Sequence, residues 1–414
     1  MPGPAQSGRK GLFCDVPRWG GQGPFSVIPL WKARREMHRL GEHIWALAGL
    51  FYEPVLKWRH DRWRDGLAEP LDFAVPLGRK VAVCLVFQPK GIAPSFLATL
   101  RYLGDAGYAA LIISNAPLSP DNRATLAPLV WRIVERPNFG YDFGGYRDGI
   151  LLLRQWGVAV DRMIVMNDSI WMPLRAGSTL IARLEAASGD VVGGFLHPDS
   201  QRRRGGTLRR GFVESYLYLI NGRALQSPAF WKFWDRYRVS SNKLNAVYRG
   251  ERGFSHAMRD AGLEVAGLFS PDKLRDALKG QDDAFLRQVL VYAAYTDADL
   301  LGESMALLHR PGDPSWRAEA LSHIDRTITR RRFNAAFPYP CDDLLGMDFI
   351  KKSAGPSGAG SVSLHSQMRR QVLRAVGNAD LAPLCPDVLA EMTALEGRFD
   401  VPLPAVPDDG MTGR

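Results

Sequence analysis

The chain has 414 residues, 46% of them hydrophobic and 23% charged, which is typical of a globular protein and excludes a disordered or fibrous one. Lys and Arg number 53 against 43 Asp and Glu, so the formal net charge is +10. This basic balance favours an anionic partner: nucleic acid, an anionic membrane surface or a phosphorylated small substrate.

The positive charge is spread over short arginine clusters and is not collected in one tail. The clusters occupy residues 202–204, 209–210 and 330–332. For each cluster a solvated surface and an anion-binding surface are equally open interpretations.

The four cysteines share neither disulfide-framework nor zinc-site spacing, which fits a reducing cytoplasm. They are Cys14, Cys84, Cys341 and Cys385. The first residues lack the apolar core of a secretory signal. The longest apolar stretch, Ile44 to Leu56, is interrupted by Glu53-Pro54 and is shorter than the ~20 residues of a membrane span. We therefore expect a cytoplasmic protein without a transmembrane segment.

The N-terminal part is predicted to contain two segments. Residues 1–25 are rich in Gly and Pro and are expected to form a flexible lead-in. Residues 26–78 are predicted to form an amphipathic helical segment, because apolar residues recur at helical spacing from Met37 to Phe51 and basic residues surround Trp58 and Trp63. This segment either packs on the body of the protein, the interpretation we favour, or lies on an anionic membrane surface.

Residues 79–270 alternate between strand and helix patterns, which predicts a mostly parallel sheet with right-handed crossovers. The predicted strands are Val81–Phe87, Ala109–Ser114, Val130–Val134, Arg162–Met166, Asp190–Phe195 and Glu214–Ile220. Residues 271–400 are predicted to be mainly helical, and residues 401–414 to form a flexible tail.

A glycine-rich turn, Asn138 to Gly145, is the first segment that could bind a ligand. Gly140 and Gly144 allow a positive φ and a close approach to the backbone, and Asp142 is placed to cap a helix that begins near residue 144. The turn follows the third strand and does not match the dinucleotide fingerprint, so a nicotinamide enzyme is disfavoured. A capped turn without a ligand is the alternative.

The tripeptide Asn167-Asp168-Ser169 follows a buried strand. A carboxylate at this position is costly unless it binds a metal, a sugar hydroxyl or a backbone group. Mg²⁺ or Mn²⁺ with a diphosphate would suit one or two carboxylates, but Asp168 is the only acid of the tripeptide. Asp168 capping the turn at Trp171–Pro173 is the alternative.

Further downstream, several acids and histidines could act as a base towards an acceptor hydroxyl. They are Asp190, His197, Asp199, Glu214, Glu251 and His256. The sequence does not rank them.

Five ordered blocks make the chain resemble the rhamnan synthesis protein F family, bacterial glycosyltransferases of cell-surface polysaccharide assembly. The blocks are Arg136–Gly149, Met166–Pro173, Glu214–Ile220, Ser227–Trp234 and Glu251–Ser255, with a fainter echo at Phe349–Lys352. The resemblance covers roughly residues 80–265 and implies a GT-A-like nucleotide-sugar-binding domain.

The resemblance also implies roles for individual residues. The donor-binding residues would be Phe87, Ser114, Asn115, Asn138, Gly140, Asp142, Gly144, Asn167 and Ser169. Asp168 would be both a catalytic residue and a metal ligand, because many relatives carry Asp-x-Asp there. Since this chain has Asn-Asp-Ser, its dependence on Mg²⁺ or Mn²⁺ is in question. Glu214 becomes a candidate base because Phe212 replaces the histidine of a His-x-Gln-Ser-Tyr-like block, and Glu251 is the other catalytic candidate.

The function predicted from the resemblance is transfer of a sugar, rhamnose or another deoxyhexose, from a nucleoside diphosphate to a lipid-linked or growing surface polysaccharide. The partners would be this donor, the glycan acceptor and the anionic inner face of the cytoplasmic membrane. The alternative is a non-catalytic scaffold of polysaccharide assembly that retains the fold. A nucleic-acid partner is disfavoured, because the arginine clusters are not interleaved with aromatic residues.

Overall fold

The computed structural model describes residues 52–199, 210–310, 313–352 and 363–397. The predicted lead-in at 1–25, the tail at 401–414 and the first half of the helical segment at 26–78 lie outside the described residues.

The strands of the described ranges form one large sheet and one short two-stranded ribbon. They are β1 (Lys80–Val86), β2 (Ala109–Ser114), β3 (Arg132–Glu135), β4 (Arg162–Asn167), β5 (Ile170–Trp171), β6 (Val191–His197), β7 (Phe212–Val213), β8 (Leu217–Asn221), β9 (Val265–Phe269) and β10 (Ile350–Lys351).

Helices surround the sheet and make up most of the C-terminal region. They are α1 (52–65), α2 (Pro94–Asp105), α3 (Pro120–Leu126), α4 (Tyr141–Gln155), α5 (Leu180–Ala186), α6 (Gly222–Gln226), α7 (Pro228–Arg236), α8 (Lys243–Asn245), α9 (Gly253–Asp260), α10 (Pro271–Lys279), α11 (Asp283–Val291), α12 (Ala298–Leu308), α13 (Trp316–Arg330), α14 (Phe333–Ala336), α15 (Pro338–Asp343), α16 (Leu364–Gly377) and α17 (Pro386–Glu396). A π-helical turn, Ala246–Arg252, leads into α9.

The large sheet has the strand order β3-β2-β1-β4-β8-β6-β7, and β9 pairs with β6. The pairs β1–β2, β2–β3, β1–β4 and β6–β9 are parallel, whereas β8 is antiparallel to both of its neighbours. The predicted α/β class is confirmed: a domain with a mostly parallel central sheet is followed by a mainly helical C-terminal region.

The two faces of the sheet bury separate hydrophobic cores. On β1, Ala82, Cys84 and Val86 face the core shared with α2, α5 and the C-terminal helices, and Val81 and Val83 face the core formed with α4, α7 and α9. This burial on both sides explains why β1 is a continuous apolar run in the sequence.

Helix α4 packs unusually close to β1. A Cβ added at Gly145 would lie 2.2 Å from Leu85 Cδ1, and one added at Gly149 would lie 2.6 Å from Val83 Cγ1. Because no side chain fits between the helix and the strand at these two positions, the glycines fix the distance of α4 from the sheet. The N-terminus of α4 thereby lies at the carboxyl ends of the parallel strands.

The C-terminal region returns to the same edge of the sheet through β10. Ile350 pairs with Trp171 and Lys351 with Ile170, so β10 is antiparallel to β5. Because β5 follows the tripeptide Asn167-Asp168-Ser169 directly, this pairing brings a segment from 180 residues downstream to the end of β4. Among the described residues, no helix is long and apolar enough to cross a membrane.

Candidate functional site

The carboxyl ends of β1 and β4 bring Phe87 and Asp168 together. The Phe87 N–H donates to Asp168 Oδ2 at 3.0 Å, and the Asp168 N–H donates to the Leu85 carbonyl at 3.1 Å. Parallel pairing of Leu85 with Asn167 fixes this arrangement. The Phe87 ring is exposed, so one of its faces is free to stack on a planar group.

Asn167 connects the tripeptide to the first turn of α4. Its Nδ2 donates to Asp142 Oδ2 at 3.0 Å, and its Oδ1 accepts the Ser169 N–H at 3.1 Å. Although Asp142 as a whole is exposed, neighbouring atoms desolvate its carboxyl group and the charge of Asp168 adds to this effect, so the pKa of Asp142 is raised. Two carboxylates that repel each other are therefore held at the end of β4.

The predicted cap at Asp142 is wrong. Helix α4 begins at Tyr141 and not near residue 144, and its N-cap is Gly140, which has no capping side chain. Gly140 adopts φ +86°, and the next residue, Tyr141, also has a positive φ of 51°. Left-handed geometry at two successive residues starts the helix early, so Asp142 lies inside its first turn and is available to Asn167.

Packing accounts for both glycines of the turn that were predicted to bind a donor. A Cβ at Gly140 would lie 2.0 Å from Val239 Cγ1, and a Cβ at Gly144 would lie 2.3 Å from the Phe139 carbonyl oxygen. Asn138 is exposed on the same turn. The turn is therefore built by local sterics, and a role of these residues in donor binding stays a prediction.

One buried guanidinium holds the two predicted donor loops together. Arg136 donates from Nη1 to Asn115 Oδ1 at 2.5 Å and from Nη2 to the Phe139 carbonyl at 2.6 Å. The neighbouring Ser114 donates its hydroxyl to the Ala116 carbonyl at 2.6 Å, so it is also used locally. Sequence reasoning did not select Arg136 as a site residue, although it is the first residue of the first family block.

The same guanidinium connects the site to α1. Arg136 Nε donates to Asp148 Oδ2 at 2.6 Å, and His60 Nε2 lies 2.7 Å from that oxygen. Burial raises the pKa of Asp148, but the His60 hydrogen bond and the Arg136 charge outweigh it and hold the pKa below its usual value. A buried polar network thus joins α1, α4 and the loop after β2.

Glu214, which follows β7, makes two close ionic contacts. Its Oε1 is 2.7 Å from His197 Nε2 and 2.7 Å from Arg332 Nη1. Burial opposes ionisation, but His197 and Arg332 lower the pKa of Glu214 to about 2. A carboxylate held this firmly in its charged form is a weak proton acceptor at neutral pH.

Glu251 has the opposite electrostatic environment. It lies in the π-helical turn, and its Oε1 accepts the Ser215 N–H at 2.7 Å. Burial and then the negative charge of Glu214 raise its pKa. Two neighbouring acids whose pKa values are pushed apart are typical of sites with divided acid and base roles.

Two lysines, Lys351 of β10 and Lys352 directly after it, complete the site, and sequence reasoning missed them. Burial has the largest effect on the pKa of Asp142, Glu214 and Glu251, and Lys351 opposes it at all three, so its ammonium group is within electrostatic reach of each acid. Lys352 donates its N–H to the Ser169 carbonyl at 2.7 Å, and its ammonium group lies 3.7 Å from Glu391. Burial lowers the pKa of Lys352. The faint family resemblance at Phe349–Lys352 was the signal in the sequence that could have identified these lysines.

Asp168 and Asp142 are the two carboxylates that could hold a metal ion at the end of β4. Among the described residues, no group of three His, Cys, Asp or Glu side chains could hold a metal ion. Two carboxylates are enough for Mg²⁺ or Mn²⁺ only when phosphate oxygens supply further ligands. These residues therefore fit a metal that arrives with a diphosphate.

Residues 110–294 match the model of the rhamnan synthesis protein F family. This confirms the predicted resemblance over that range, while the echo at Phe349–Lys352 lies outside it. The chain is also 29% identical over 261 residues to the uncharacterised protein y4gN of Sinorhizobium fredii, which covers 63% of this chain and 67% of that protein.

Three solved structures show a distant likeness. A nucleoside-diphosphate-sugar pyrophosphorylase of Vibrio cholerae has 13% identity and a TM-score of 0.29, over 46% of this chain and 92% of its own. Core-mannan synthase A of Aspergillus fumigatus, in an Mn/GDP form, has 7% identity and a TM-score of 0.30, over 49% and 78%. The mannosyltransferase PcManGT of Pyrobaculum calidifontis, in complex with GDP-Man and Mn²⁺, has 12% identity and a TM-score of 0.25, over 70% and 97%. Likeness at this level does not identify a ligand for this chain.

Proposed function

Starting from the match of residues 110–294 to the rhamnan synthesis protein F family, we propose that the chain is a nucleotide-sugar-dependent glycosyltransferase. It transfers a sugar, rhamnose or another deoxyhexose, from a nucleoside diphosphate to a lipid-linked or growing surface polysaccharide. The observation that carries the proposal is the cluster at the end of β4, where Asp142 and Asp168 repel each other and Lys351 acts on Asp142, Glu214 and Glu251.

The donor occupies the carboxyl ends of β1, β2 and β4. The nucleotide base stacks on the exposed Phe87 ring next to the loop at Ser114-Asn115, which Arg136 fixes. The diphosphate lies at the tripeptide, where Lys351 and Lys352 supply positive charge and Asp168 orients the donor. A Mg²⁺ or Mn²⁺ ion brought by the diphosphate would be held by Asp168, with Asp142 beside it, and would add charge at the leaving group.

Transfer then needs a proton acceptor and stabilisation of the leaving group. The acceptor hydroxyl oxygen bonds to the anomeric carbon while the bond from that carbon to the diphosphate oxygen breaks. The hydroxyl proton passes to Glu251, whose raised pKa suits this role better than that of Glu214. The nucleoside diphosphate leaves with the bonding electrons, and the lysines stabilise its charge.

Helix α1 supports contact with an anionic membrane surface on the cytoplasmic side. Its inward residues are charged or polar, Glu53, His60 and Arg64, whereas Val55 and Trp58 on its outward side are exposed. Arg62 lies over the Trp58 ring at 5.1 Å, so a basic and aromatic surface faces away from the sheet. Such a surface suits lipid headgroups and would keep the enzyme near a lipid-linked acceptor.

The proposal is tested by thermal unfolding with dTDP, UDP or GDP, each with and without Mg²⁺ or Mn²⁺. A nucleotide at ~100 times its dissociation constant adds roughly 2.7 kcal/mol of stability, so the matching nucleotide should raise Tm by a few degrees. Any extra shift caused by the metal should disappear in Asp168→Asn and persist in Asp105→Asn, a control on the exposed end of α2.

A non-catalytic scaffold is the second candidate, and the single acid of Asn167-Asp168-Ser169, where many relatives carry Asp-x-Asp, favours it. No Tm shift with any nucleotide would favour the scaffold and contradict the enzyme. A shift together with release of nucleoside diphosphate from a donor sugar would contradict the scaffold.

A further inference from the structure

A cavity of about 810 Å³ adjoins Glu214 on the side of β6, and the donor cluster does not use it. It lies between the end of β6, the beginning of α10 and the residues around the end of α13. Its charged and titratable lining consists of His197, Asp199, Glu214, Arg275, Arg330, Arg331 and Arg332. The Asp199 carboxylate lies 3.3 Å from Arg259, which is outside the lining. The arginine cluster 330–332, singled out in the sequence, therefore lines a concave surface.

The arginines of this cavity differ in whether their charge is paired with a carboxylate. Arg332 contacts Glu214, and Arg331 lies 3.0 Å from Asp297. Arg275 is paired with Asp325 at 2.6 Å and with Asp272 at 2.8 Å. Arg330 is exposed and has no ion pair within the part of the chain that the structure describes. Arg330 therefore carries a positive charge that no described carboxylate neutralises, whereas the charges of its neighbours are paired. Such a group of arginines suits a multiply charged anion.

Arg330 at the end of α13 also has a simpler explanation. A cation in the last turn of a helix interacts favourably with the helix dipole, and this alone would explain one arginine. It does not explain Arg331 and Arg332, which follow the helix, or Arg275, which reaches the same cavity from α10. Arginines converging from two helices are typical of phosphate recognition, because each guanidinium can donate two parallel hydrogen bonds.

We propose that this cavity binds a phosphate or diphosphate group of the acceptor. The inference rests on the proposed function, because it takes the donor to occupy the end of β4. The cavity borders Glu214, and the charge of Glu214 raises the pKa of Glu251, so an acceptor anchored here lies on the Glu214 side of the proposed base. The donor diphosphate is assigned to the tripeptide, Lys351 and Lys352, and so the two anionic sites are separate.

The volume of the cavity suits part of an acceptor. Ligand cavities of roughly 300–1,000 Å³ enclose most of a drug-sized molecule, and this cavity falls in that range. It therefore has room for a phosphate or diphosphate together with the group that it esterifies. That group is either a lipid, linked through a diphosphate, or a phosphorylated sugar.

The test is calorimetric titration of the full-length protein with inorganic pyrophosphate. Arg330→Ala/Arg331→Ala should weaken binding about tenfold or more. The matched control, Arg101→Ala/Arg154→Ala, removes two exposed arginines of α2 and α4, one without and one with an ion pair, and should change affinity less than about twofold. Binding should persist when the nucleotide that raises Tm is present at saturation.

Equal loss in both double variants would mean general electrostatic attraction and would overturn the proposal. Loss of pyrophosphate binding at saturating nucleotide would also overturn it, because the bound anion would then occupy the donor site. Neither result would contradict the proposed glycosyltransferase activity. If the protein bound no nucleotide, the proposed enzyme would be contradicted, but the pyrophosphate titration would be unaffected.

Two esterified probes distinguish the sources of the phosphate. Tighter binding of geranyl diphosphate than of pyrophosphate supports a lipid diphosphate, and tighter binding of a hexose phosphate supports a phosphorylated sugar. If pyrophosphate binds in an Arg330-dependent way but neither ester does, the cavity does not accept a phosphate ester and the assignment to the acceptor is wrong.

Discussion

Glu214 and Glu251 are two acids of one site in opposite electrostatic surroundings. Ion pairs to His197 and Arg332 keep Glu214 charged, whereas burial and the charge of Glu214 make Glu251 a stronger proton acceptor. The sequence placed both residues among the catalytic candidates. It could not rank them, because Arg332 is 118 residues away from Glu214 in the chain.

We expect Glu251→Gln to reduce the kcat of sugar transfer by about 10²-fold or more, since it removes the proton acceptor and retains the size of the side chain. Nucleotide-induced stabilisation should be unchanged. Glu251 acts in its deprotonated form, and its pKa is raised. The rate should therefore begin to fall on the acidic side of the pH–rate profile at a pH above 4.5, the usual pKa of a glutamate. Glu264→Gln, which changes an acid outside the cluster, is the control. Unchanged kcat in Glu251→Gln would remove this residue from the mechanism.

Glu214 should instead contribute mainly to stability. Its pKa is about 2 in the folded protein against 4.5 as the ordinary value, so its contribution is complete above pH 4.5 and is lost as pH falls towards 2. The shift corresponds to about 3 kcal/mol. Urea unfolding of the wild type and Glu214→Gln should therefore differ at pH 7, and the difference should shrink across this window. Asp276→Asn, at the exposed ion pair with Lys279, should show almost no difference at either pH.

At the scale of elements, the sequence predicted the features that depend on residues close together in the chain. The runs of β1, β2 and β4 are apolar because the sheet is covered on both faces, so these strands were predictable. The beginning of α4 was not, because it depends on the left-handed geometry of Gly140 and Tyr141. Lys351 and Lys352 escaped prediction because the two-residue strand β10 has no periodicity and its partner β5 is distant in sequence.

Helix α1 gives the prediction that belongs to this scale. Its charged face is fixed to the body through His60 and Asp148, so its exposed apolar side chains can be changed without disturbing that network. The protein should bind vesicles of phosphatidylglycerol and not of phosphatidylcholine, and binding should weaken with salt.

Trp58→Ala/Val55→Ser should reduce vesicle binding in a sedimentation assay with little change in Tm, because both side chains are exposed. Leu71→Ser/Leu244→Ser, at exposed positions outside α1, is the control. Equal binding by both double variants would favour a helix that only packs on the body.

At the scale of the whole molecule, the sheet and the C-terminal helices share a core. Ile164 and Met166 of β4 belong to the same buried cluster as Leu286 of α11 and Ile324 of α13. The predicted boundary between residues 270 and 271 stays a prediction, but this cluster extends across it. We expect the described body to unfold in one cooperative transition, with equal calorimetric and van't Hoff enthalpies.

A fragment of residues 79–270 tests this shared core most directly. It would expose the apolar face that the C-terminal helices cover and would lack Arg332, Lys351 and Lys352, so both its core and its site would be incomplete. We expect it to show no cooperative unfolding and no nucleotide-induced shift, in contrast to the full chain. A fragment that unfolds cooperatively and still binds nucleotide would mean that the C-terminal helices are a separate domain and that Lys351 and Lys352 are dispensable for donor binding.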